Sequence, residues 1–364
     1  MTALTLRTFR SGWFRAGLVV AALVVAAAAV WWRGPDWRAV WHAFDFVSWW
    51  WVVLAVGINL ASIVARAISW RLTIGQALPE PHPRYTQVFS AFCVGLLGNA
   101  VLPARAGELA RVAVLRRHMP DHGSGTSATL VGTVFAHRLF DLPAVAVLVV
   151  YVLLTAKIPQ WAVTSLEIFG LVGIALVAVA MLSARHRDHR LPSLEDAGTV
   201  THLVGMARQG LGVLRAPLPA TAAIFFQLVG WVLQLLAVWT VMEAFDLDAP
   251  LPAAGLVLLL MNIAILFPLW PGNVGLLQAA VAVPLRQYGV AYATGFAYGL
   301  VLQAVEASVG VGLGLVFLAR EGISFAGLKR METDEERSAA AELDTEAAEE
   351  PEPEGAREGA SLSR

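Results

Sequence analysis

The chain has 364 residues, of which 57% are hydrophobic and 15% are charged. A water-facing globular surface does not tolerate this balance, so composition excludes a soluble fold. The formal net charge of −1 conceals a segregation: residues 331–364 carry 12 acidic and three basic side chains, whereas residues 1–330 carry 15 acidic and 23 basic ones. The sequence therefore predicts an all-α, polytopic membrane body followed by an acidic tail.

Apolar stretches divide the body into membrane spans. A helix that crosses the hydrocarbon core needs about 20 largely apolar residues. Six stretches meet this requirement, at 14–32, 47–65, 128–155, 162–182, 219–242 and 295–319. The first ends in Trp31-Trp32-Arg33 rather than in a small-residue cleavage site, so we interpret it as an uncleaved span. Two further apolar stretches, 86–117 and 251–288, are interrupted near their centres by Pro, Gly and polar residues.

Basic residues indicate how the interrupted stretches run, because Lys and Arg favour the cytoplasmic side. If each stretch is a re-entrant hairpin, the basic clusters share one side of the membrane. These clusters lie at 7–15, 66–84, 116–117, 185–215 and 320–330. A full crossing by 86–117 would instead place Arg116 and Arg117 opposite the preceding cluster. We therefore predict a transmembrane helical bundle of six spans and two re-entrant hairpins in the plasma membrane, with both termini cytoplasmic.

Three regions follow from this topology. Residues 1–13 form a cytoplasmic N-terminus, and residues 14–319 form the transmembrane domain, which includes a cytoplasmic loop at 184–217. Residues 320–364 are rich in Glu and Ala and have no aromatic residue after Phe325. Such a composition cannot bury a core, so we predict a disordered cytoplasmic tail.

The first interrupted stretch carries charges where a helix restarts. Pro103 ends the incoming helix and suits the first turn of the next one. On that helix Arg105, Glu108 and Arg111 are three residues apart and form one polar stripe. Each charge at mid-bilayer costs roughly 2.5–3.5 kcal/mol. We predict that the stripe, together with Asn99, binds an anionic lipid headgroup; an internally paired structural stripe is the alternative.

The second interrupted stretch has no charge at its break. Four helix-breaking residues are predicted to act as hinges here: Pro268, Pro271, Gly272 and Gly275. Gly107 is predicted to do the same in the first stretch. With one constant offset, Pro103 matches Pro271, Gly107 matches Gly275 and Leu109 matches Leu277. This agreement favours an inverted-repeat transporter whose hairpins open to opposite sides, although chance also produces three matches.

A polar group also lies inside the span at 128–155. Arg138 and Asp141 are three residues apart on a helix and neutralise each other. This leaves His137 as the group that titrates near neutral pH. We predict a supporting ion pair rather than a ligand site. His186 and His189 lack further ligands at suitable spacing, so we predict neither a metal nor another cofactor.

These segments resemble the lysylphosphatidylglycerol synthase transmembrane region family, also called flippase-like integral membrane proteins. The resemblance spans roughly 15–320 and is carried by Asn99-x-x-Leu102-Pro103-x-Arg105-x-Gly107-Glu108-x-x-Arg111, Arg138-x-x-Asp141 and Pro271-Gly272-x-x-Gly275. It implies a helical membrane fold and movement of anionic phospholipids or polyprenyl-phosphate-type lipids between leaflets.

Departures from the family pattern limit what the resemblance implies. The family often carries acidic residues where this chain has His137 and Gln278, so a role that the family gives to those acids does not carry over to this chain. Full-length synthases also carry a soluble aminoacyl-transferase domain after the membrane region. About 45 residues follow the last predicted span, too few for such a domain, so we do not expect synthesis of lysyl-lipid.

Three functions remain in competition. The leading prediction is a lipid translocase that is not an enzyme and whose partners are anionic membrane lipids rather than nucleic acids. The alternative is a membrane transferase acting on a polyprenyl-phosphate-linked sugar, with Glu108 or Asp141 as the base; the sequence lacks a clear acidic metal cluster for it. The third is a non-transporting scaffold whose acidic tail recruits a basic cytoplasmic partner. Homo-oligomerisation stays open.

Overall fold

A computed structural model describes residues 35–78, 82–101, 107–119, 126–158, 217–266, 273–327 and 330, with isolated helical positions between 163 and 175. Regular structure in these ranges is helical. The helices are α1 (Trp37–Phe44), α2 (Trp49–Ala77), α3 (Tyr85–Val101), α4 (Gly107–Arg116), α5 (Thr126–Leu139), α6 (Asp141–Thr155), α7 (Pro217–Ala244), α8 (Leu251–Leu266), α9 (Leu276–Leu285), α10 (Tyr292–Ala307) and α11 (Gly314–Arg320). A 3-10 turn at Arg286–Tyr288 follows α9, and π-helical Ser308–Leu313 joins α10 to α11.

Four helical segments are long and apolar enough to cross a membrane: Trp49–Ala77, Thr126–Thr155, Leu218–Ala244 and Tyr292–Arg320. They correspond to four of the six predicted spans and confirm an all-α polytopic membrane fold. The predicted span 14–32 lies outside the described residues, as does most of 162–182. The predicted N-terminal segment, the loop up to residue 216 and the tail beyond residue 330 also lie outside them.

The predicted span 47–65 is part of a longer helix, because α2 continues through Arg66 to Ala77. Two of its serine side chains face α7. The Ser62 hydroxyl donates to the Gly230 carbonyl at 2.8 Å, and the Ser69 hydroxyl donates to the Ala223 carbonyl at 2.8 Å. Since the polar face is satisfied within the protein, the helix does not have to end there. The reversed order of these pairs shows that α2 and α7 are antiparallel.

A break divides the predicted span 128–155 into α5 and α6. Pro143 has no N–H to continue the helix from α5, but it fits the first turn of a new one, and α6 begins at Asp141. The break places Arg138 in the last turn of α5 and Asp141 in the first turn of α6. Each charge therefore has the sign that its helix end favours.

Both interrupted stretches are helix pairs. In the first hairpin, α3 and α4 are antiparallel, with Gly95 against Arg111 and Gly98 against Gly107. In the second hairpin, formed by α8 and α9, the Asn273 side-chain amide donates to the Ala264 carbonyl at 3.2 Å and closes the pair.

Each hairpin contacts a span from the other half of the chain. The first hairpin contacts α11 and the π-helical segment, and Gly314 of α11 lies against Leu97. The second hairpin contacts α6, where Gly255 lies against Val152, and it also contacts α10 of its own half, where Gly295 lies against Ala282. The contacts between the halves and the antiparallel pair of α2 and α7 are of the kind expected for the predicted inverted repeat.

Two hydrophobic cores stabilise the bundle. One includes Trp70 and Phe92 and is built mainly from α2 to α5. The other includes Trp231 and is built mainly from α6 to α10. The polar residues described next contact aromatic side chains of both cores, so they lie at the boundary between them.

Candidate functional site

Glu108 is the centre of the site. It lies in the first turn of α4, and its Oε2 is 2.8 Å from Arg111 Nη2 on the same helix. Its Oε1 accepts a hydrogen bond from Arg138 of α5 and one from the Asn99 side-chain amide of α3 at 3.2 Å. One carboxylate is therefore shared by two arginines that come from different elements.

Close packing of α3 on α4 makes the Asn99 contact possible. A Cβ at Gly107 would collide with the Gly95 carbonyl and with the Asn99 backbone. Glycine at position 107 therefore sets the distance between the two helices, and that distance places the Asn99 amide beside Glu108.

The predicted pair of Arg138 and Asp141 is present and extends the same site. Arg138 Nη1 lies 3.4 Å from Asp141 Oδ2. Asp141 Oδ1 accepts hydrogen bonds from Trp231 Nε1 at 2.7 Å and from the Gln227 side-chain amide. Since Arg138 contacts both carboxylates, the two predicted groups form one charged network, which consists of Glu108, Arg111, Arg138 and Asp141.

The two arginine side chains of the charged network differ in how much of their surface is exposed. The Arg111 side chain is 3% exposed, and its guanidinium carbon lies 4.6 Å from the Trp70 ring centroid and 5.5 Å from that of Phe92. Such cation–π contacts hold a cation where water is excluded. The Arg138 side chain is 38% exposed. Arg138 is therefore the cation that a ligand can reach, while Arg111 lies behind Glu108.

A second polar chain runs beside the charged network. Arg66 Nη2 donates to Gln234 Oε1 at 2.5 Å, and Gln234 Nε2 lies 3.5 Å from Glu306 Oε1. The Arg66 guanidinium carbon is 5.1 Å from the Trp231 ring centroid. Because Trp231 also donates to Asp141, the Arg66–Gln234–Glu306 chain and the charged network share this tryptophan.

The sequence-based prediction missed this second chain, although its spacing is visible. Gln227, Trp231 and Gln234 are four and three residues apart, so they form a polar stripe on an otherwise apolar helix. Glu306 is the single acid in the stretch 295–319. An ionisable residue within a span is a functional hypothesis by default, so the position of Glu306 is itself a signal of function.

His137 joins α5 to α2. The residue is 1% exposed, and its Nε2 lies 3.1 Å from the Arg66 carbonyl oxygen. Its ring packs edge-on against Phe92 with centroids 5.9 Å apart. Since a carbonyl oxygen only accepts, Nε2 carries the proton in this contact. His137 thus fixes the α2 backbone next to Arg66.

The second hairpin is held by amides and backbone geometry. Asn273 and Gly275 have positive φ angles of 45° and 94°, so glycine suits position 275. The Gly275 N–H donates to Gln278 Oε1 at 2.5 Å, which is half of a capping box. Gln278 Nε2 donates to Gln303 Oε1 at 2.6 Å. Other predicted site residues lie outside the described ranges: Pro103, Arg105, Pro268, Pro271 and Gly272.

The helical fold and its apolar spans define a polytopic integral membrane protein that carries charges between its helices. The particular family follows from sequence comparison: the family model described as "Lysylphosphatidylglycerol synthase TM region" matches residues 18–314. The chain belongs to this family, which confirms the resemblance noted from its motifs. No curated protein and no solved structure is significantly similar to this chain.

Proposed function

We propose that this protein moves lipids with an anionic phosphate headgroup between the leaflets of the plasma membrane, with both termini in the cytoplasm. The observation that carries the proposal is the charged network, in which Arg138 is partly exposed beside the first hairpin. Each of its charges costs roughly 2.5–3.5 kcal/mol in a membrane. Apolar residues of similar size stabilise an interior as well as or better than buried ion pairs do, so stability alone does not account for these groups.

Arg138 is the proposed first contact of the headgroup. A guanidinium binds a phosphate through two parallel hydrogen bonds. An arriving phosphate competes with Glu108 and Asp141 for these donors, because both carboxylates contact Arg138. Arg111 keeps Glu108 in place during the exchange, since it is buried on the other side of that carboxylate. Arg105 is predicted to supply a further cation.

The reciprocal packing of the hairpins supports the proposed route. Each hairpin contacts a span from the other half of the chain. In the proposed route, a rocking motion of one half changes which end of the site is open. The same phosphate chemistry occurs in anionic phospholipids and in polyprenyl-phosphate-type lipids, and both are proposed cargo classes.

We propose transport without catalysis. A general base needs a carboxylate that is available to take a proton. Glu108 accepts from Arg138 and Asn99, and Asp141 accepts from Trp231 and Gln227. These donors stabilise the ionised forms of both carboxylates and make them poor bases, which disfavours the transferase alternative.

Reconstitution in liposomes tests the proposal. Exchange of labelled phosphatidylglycerol and of a labelled polyprenyl phosphate is compared between the wild type, Arg138→Gln and Arg138→Lys. We expect Arg138→Gln to slow exchange roughly tenfold or more and Arg138→Lys to retain part of it. The matched control is Arg71→Gln, which removes an exposed arginine of α2 outside the charged network.

Two results would contradict the proposal. One is exchange by the wild type that is no faster than in protein-free vesicles for every anionic lipid tried. The other is formation of a new product from a lipid-linked sugar donor, which would identify a transferase.

A further inference from the structure

Glu306 differs from the other two carboxyl groups near the site. It lies in the last turn of α10, immediately before the π-helical segment Ser308–Leu313. The Gln234 side-chain amide donates a long hydrogen bond of 3.5 Å to Glu306 Oε1. Within the described ranges, no cation lies at ion-pair distance from Glu306, whereas Glu108 and Asp141 each contact Arg138. Glu306 is therefore the carboxyl whose ionised form receives the least direct support.

Contiguous contacts connect Glu306 to the charged network. Gln234 uses both ends of its amide: its oxygen accepts from Arg66 and its nitrogen faces Glu306. Arg66 stacks on Trp231, and Trp231 donates to Asp141. The amide nitrogen of Gln234 can donate to a carboxylate oxygen or to the carbonyl oxygen of a protonated carboxyl. The position of Glu306 is thus held in both protonation states.

The balance of charge at the site depends on Glu306. Arg66, Arg111 and Arg138 supply three positive charges, and Glu108 and Asp141 supply two negative ones. Among these described groups the sum is zero with Glu306 ionised and +1 with Glu306 protonated; Arg105, which lies outside the described residues, would add one positive charge to both sums. An anionic headgroup is attracted more strongly to the protonated site. Binding of the anion and binding of the proton therefore favour each other, and this linkage is reciprocal.

We propose that Glu306 is the proton-binding site of a lipid–proton symport: one proton from water binds a Glu306 carboxylate oxygen as one anionic headgroup enters, and it leaves to water when the headgroup departs. This inference rests on the proposed lipid transport and adds its driving force. The π-helical segment next to Glu306 gives α10 a point of adjustment, since such segments occur at functional sites in helices.

Few other ionisable groups act on Glu306. Of the helices packed against α10, α2 brings Arg66 and α7 brings the uncharged Gln234. Tyr298 lies on α10 itself, and its hydroxyl donates to the Val238 carbonyl at 3.0 Å. In the described parts of α1 and α9, no side chain forms a hydrogen bond or an ion pair with Glu306, whose partner is Gln234. A pH effect that requires Glu306 can therefore be assigned to this carboxyl.

Proteoliposomes provide the test. Exchange of labelled phosphatidylglycerol is measured as a function of pH, and a pH-sensitive dye in the lumen reports proton movement. In the wild type we expect faster exchange as pH falls, with up to about a tenfold change per pH unit for one linked proton. An imposed lipid gradient should move protons in the same direction as the lipid. Glu306→Gln should remove both the pH dependence and the proton movement, while Glu306→Asp should retain them.

Asp248→Asn is the matched control, because Asp248 is an exposed acid outside the site; it should keep the pH profile of the wild type. Lipid exchange by the wild type that is independent of pH and moves no protons would overturn the symport while leaving lipid transport in place. Proton movement that persists in Glu306→Gln would also overturn it. Absence of wild-type exchange at every pH would instead refute the proposed function. The wild-type measurements decide the question even if Glu306→Gln does not fold.

Discussion

The two hairpins reach similar shapes by different means. In the first, glycine at position 107 lets α4 approach α3, and Glu108 in the first turn of α4 contacts Arg111 and Arg138. In the second, glycine at position 275 adopts a positive φ, and the Gln278 amide caps α9 and contacts α10. A broken helix pair is therefore stable with amides alone. The charges of the first hairpin are not required to form such a break, which is the reason to assign them to a ligand.

The largest expected difference between the hairpins is in the free energy of unfolding that is lost when the central side chain of each is replaced. Glu108→Gln leaves Arg111 and Arg138 without their shared carboxylate, and breaking a buried pair in this way costs about 3–5 kcal/mol. Gln278→Ala removes neutral hydrogen bonds from the second hairpin and should cost about 1–2 kcal/mol. Cys93 is the single cysteine and is buried, so its reaction with a thiol dye on heating in detergent reports unfolding. Equal losses of stability in the two variants would mean that the charges of the first hairpin do not make it differ from the second.

Replacing the central glycine of each hairpin by alanine should give a smaller difference in stability, and the cause differs between the two hairpins. A methyl group at Gly107 meets backbone atoms of α3, which cannot move as a flexible side chain does, and overpacking of this kind costs about 1–3 kcal/mol. Gly275→Ala meets strain from a φ of 94°, which costs about 1–2 kcal/mol.

The two glycine variants should also differ in their rates of lipid exchange. Gly107→Ala displaces Asn99 from Glu108 and should slow lipid exchange, whereas Gly275→Ala leaves the charged network intact. Thermal unfolding and liposome exchange on the same preparations check both expectations. Gly57→Ala is the control, because open space surrounds a Cβ at this position. An exchange defect in Gly275→Ala equal to that in Gly107→Ala would argue against a special role for the first hairpin.

Local spacing predicted much of this arrangement. The apolar lengths predicted four described spans and both interrupted stretches, and the spacing of three residues predicted the pair of Arg138 with Asp141. The same spacing placed Glu108 and Arg111 on one face of a helix, where their pairing was the alternative to headgroup binding. The contact between Glu108 and Arg138 was not predicted. It joins α4 to α5 across 30 residues, and helical periodicity describes faces within one helix, not contacts between two helices.

The surroundings of Arg66 were not predicted for a related reason. Arg66 was interpreted as cytoplasmic because basic residues mark that side. In the structure, Trp231 and Gln234 of α7 accommodate the Arg66 guanidinium inside the bundle. A single sequence shows a charge without its partner, so the contacts of Arg66 with α7 could not be predicted from it.

The smallest effect is expected from deleting residues 331–364, which carry a net charge of −9 and lie outside the described residues. The deletion keeps Glu321, which follows α11 and holds it to the first hairpin: its carboxylate accepts from the Ser90 hydroxyl at 2.6 Å and lies 3.2 Å from His118 Nε2. Because these contacts and both hairpins remain, lipid exchange in liposomes should equal that of the full chain. The scaffold alternative predicts the opposite in cells, where loss of the tail would remove a basic partner and with it the function. Exchange lost from the purified, truncated protein would show that the tail acts on the hairpins directly, and the contrast between charged and uncharged hairpins would then not suffice to explain transport.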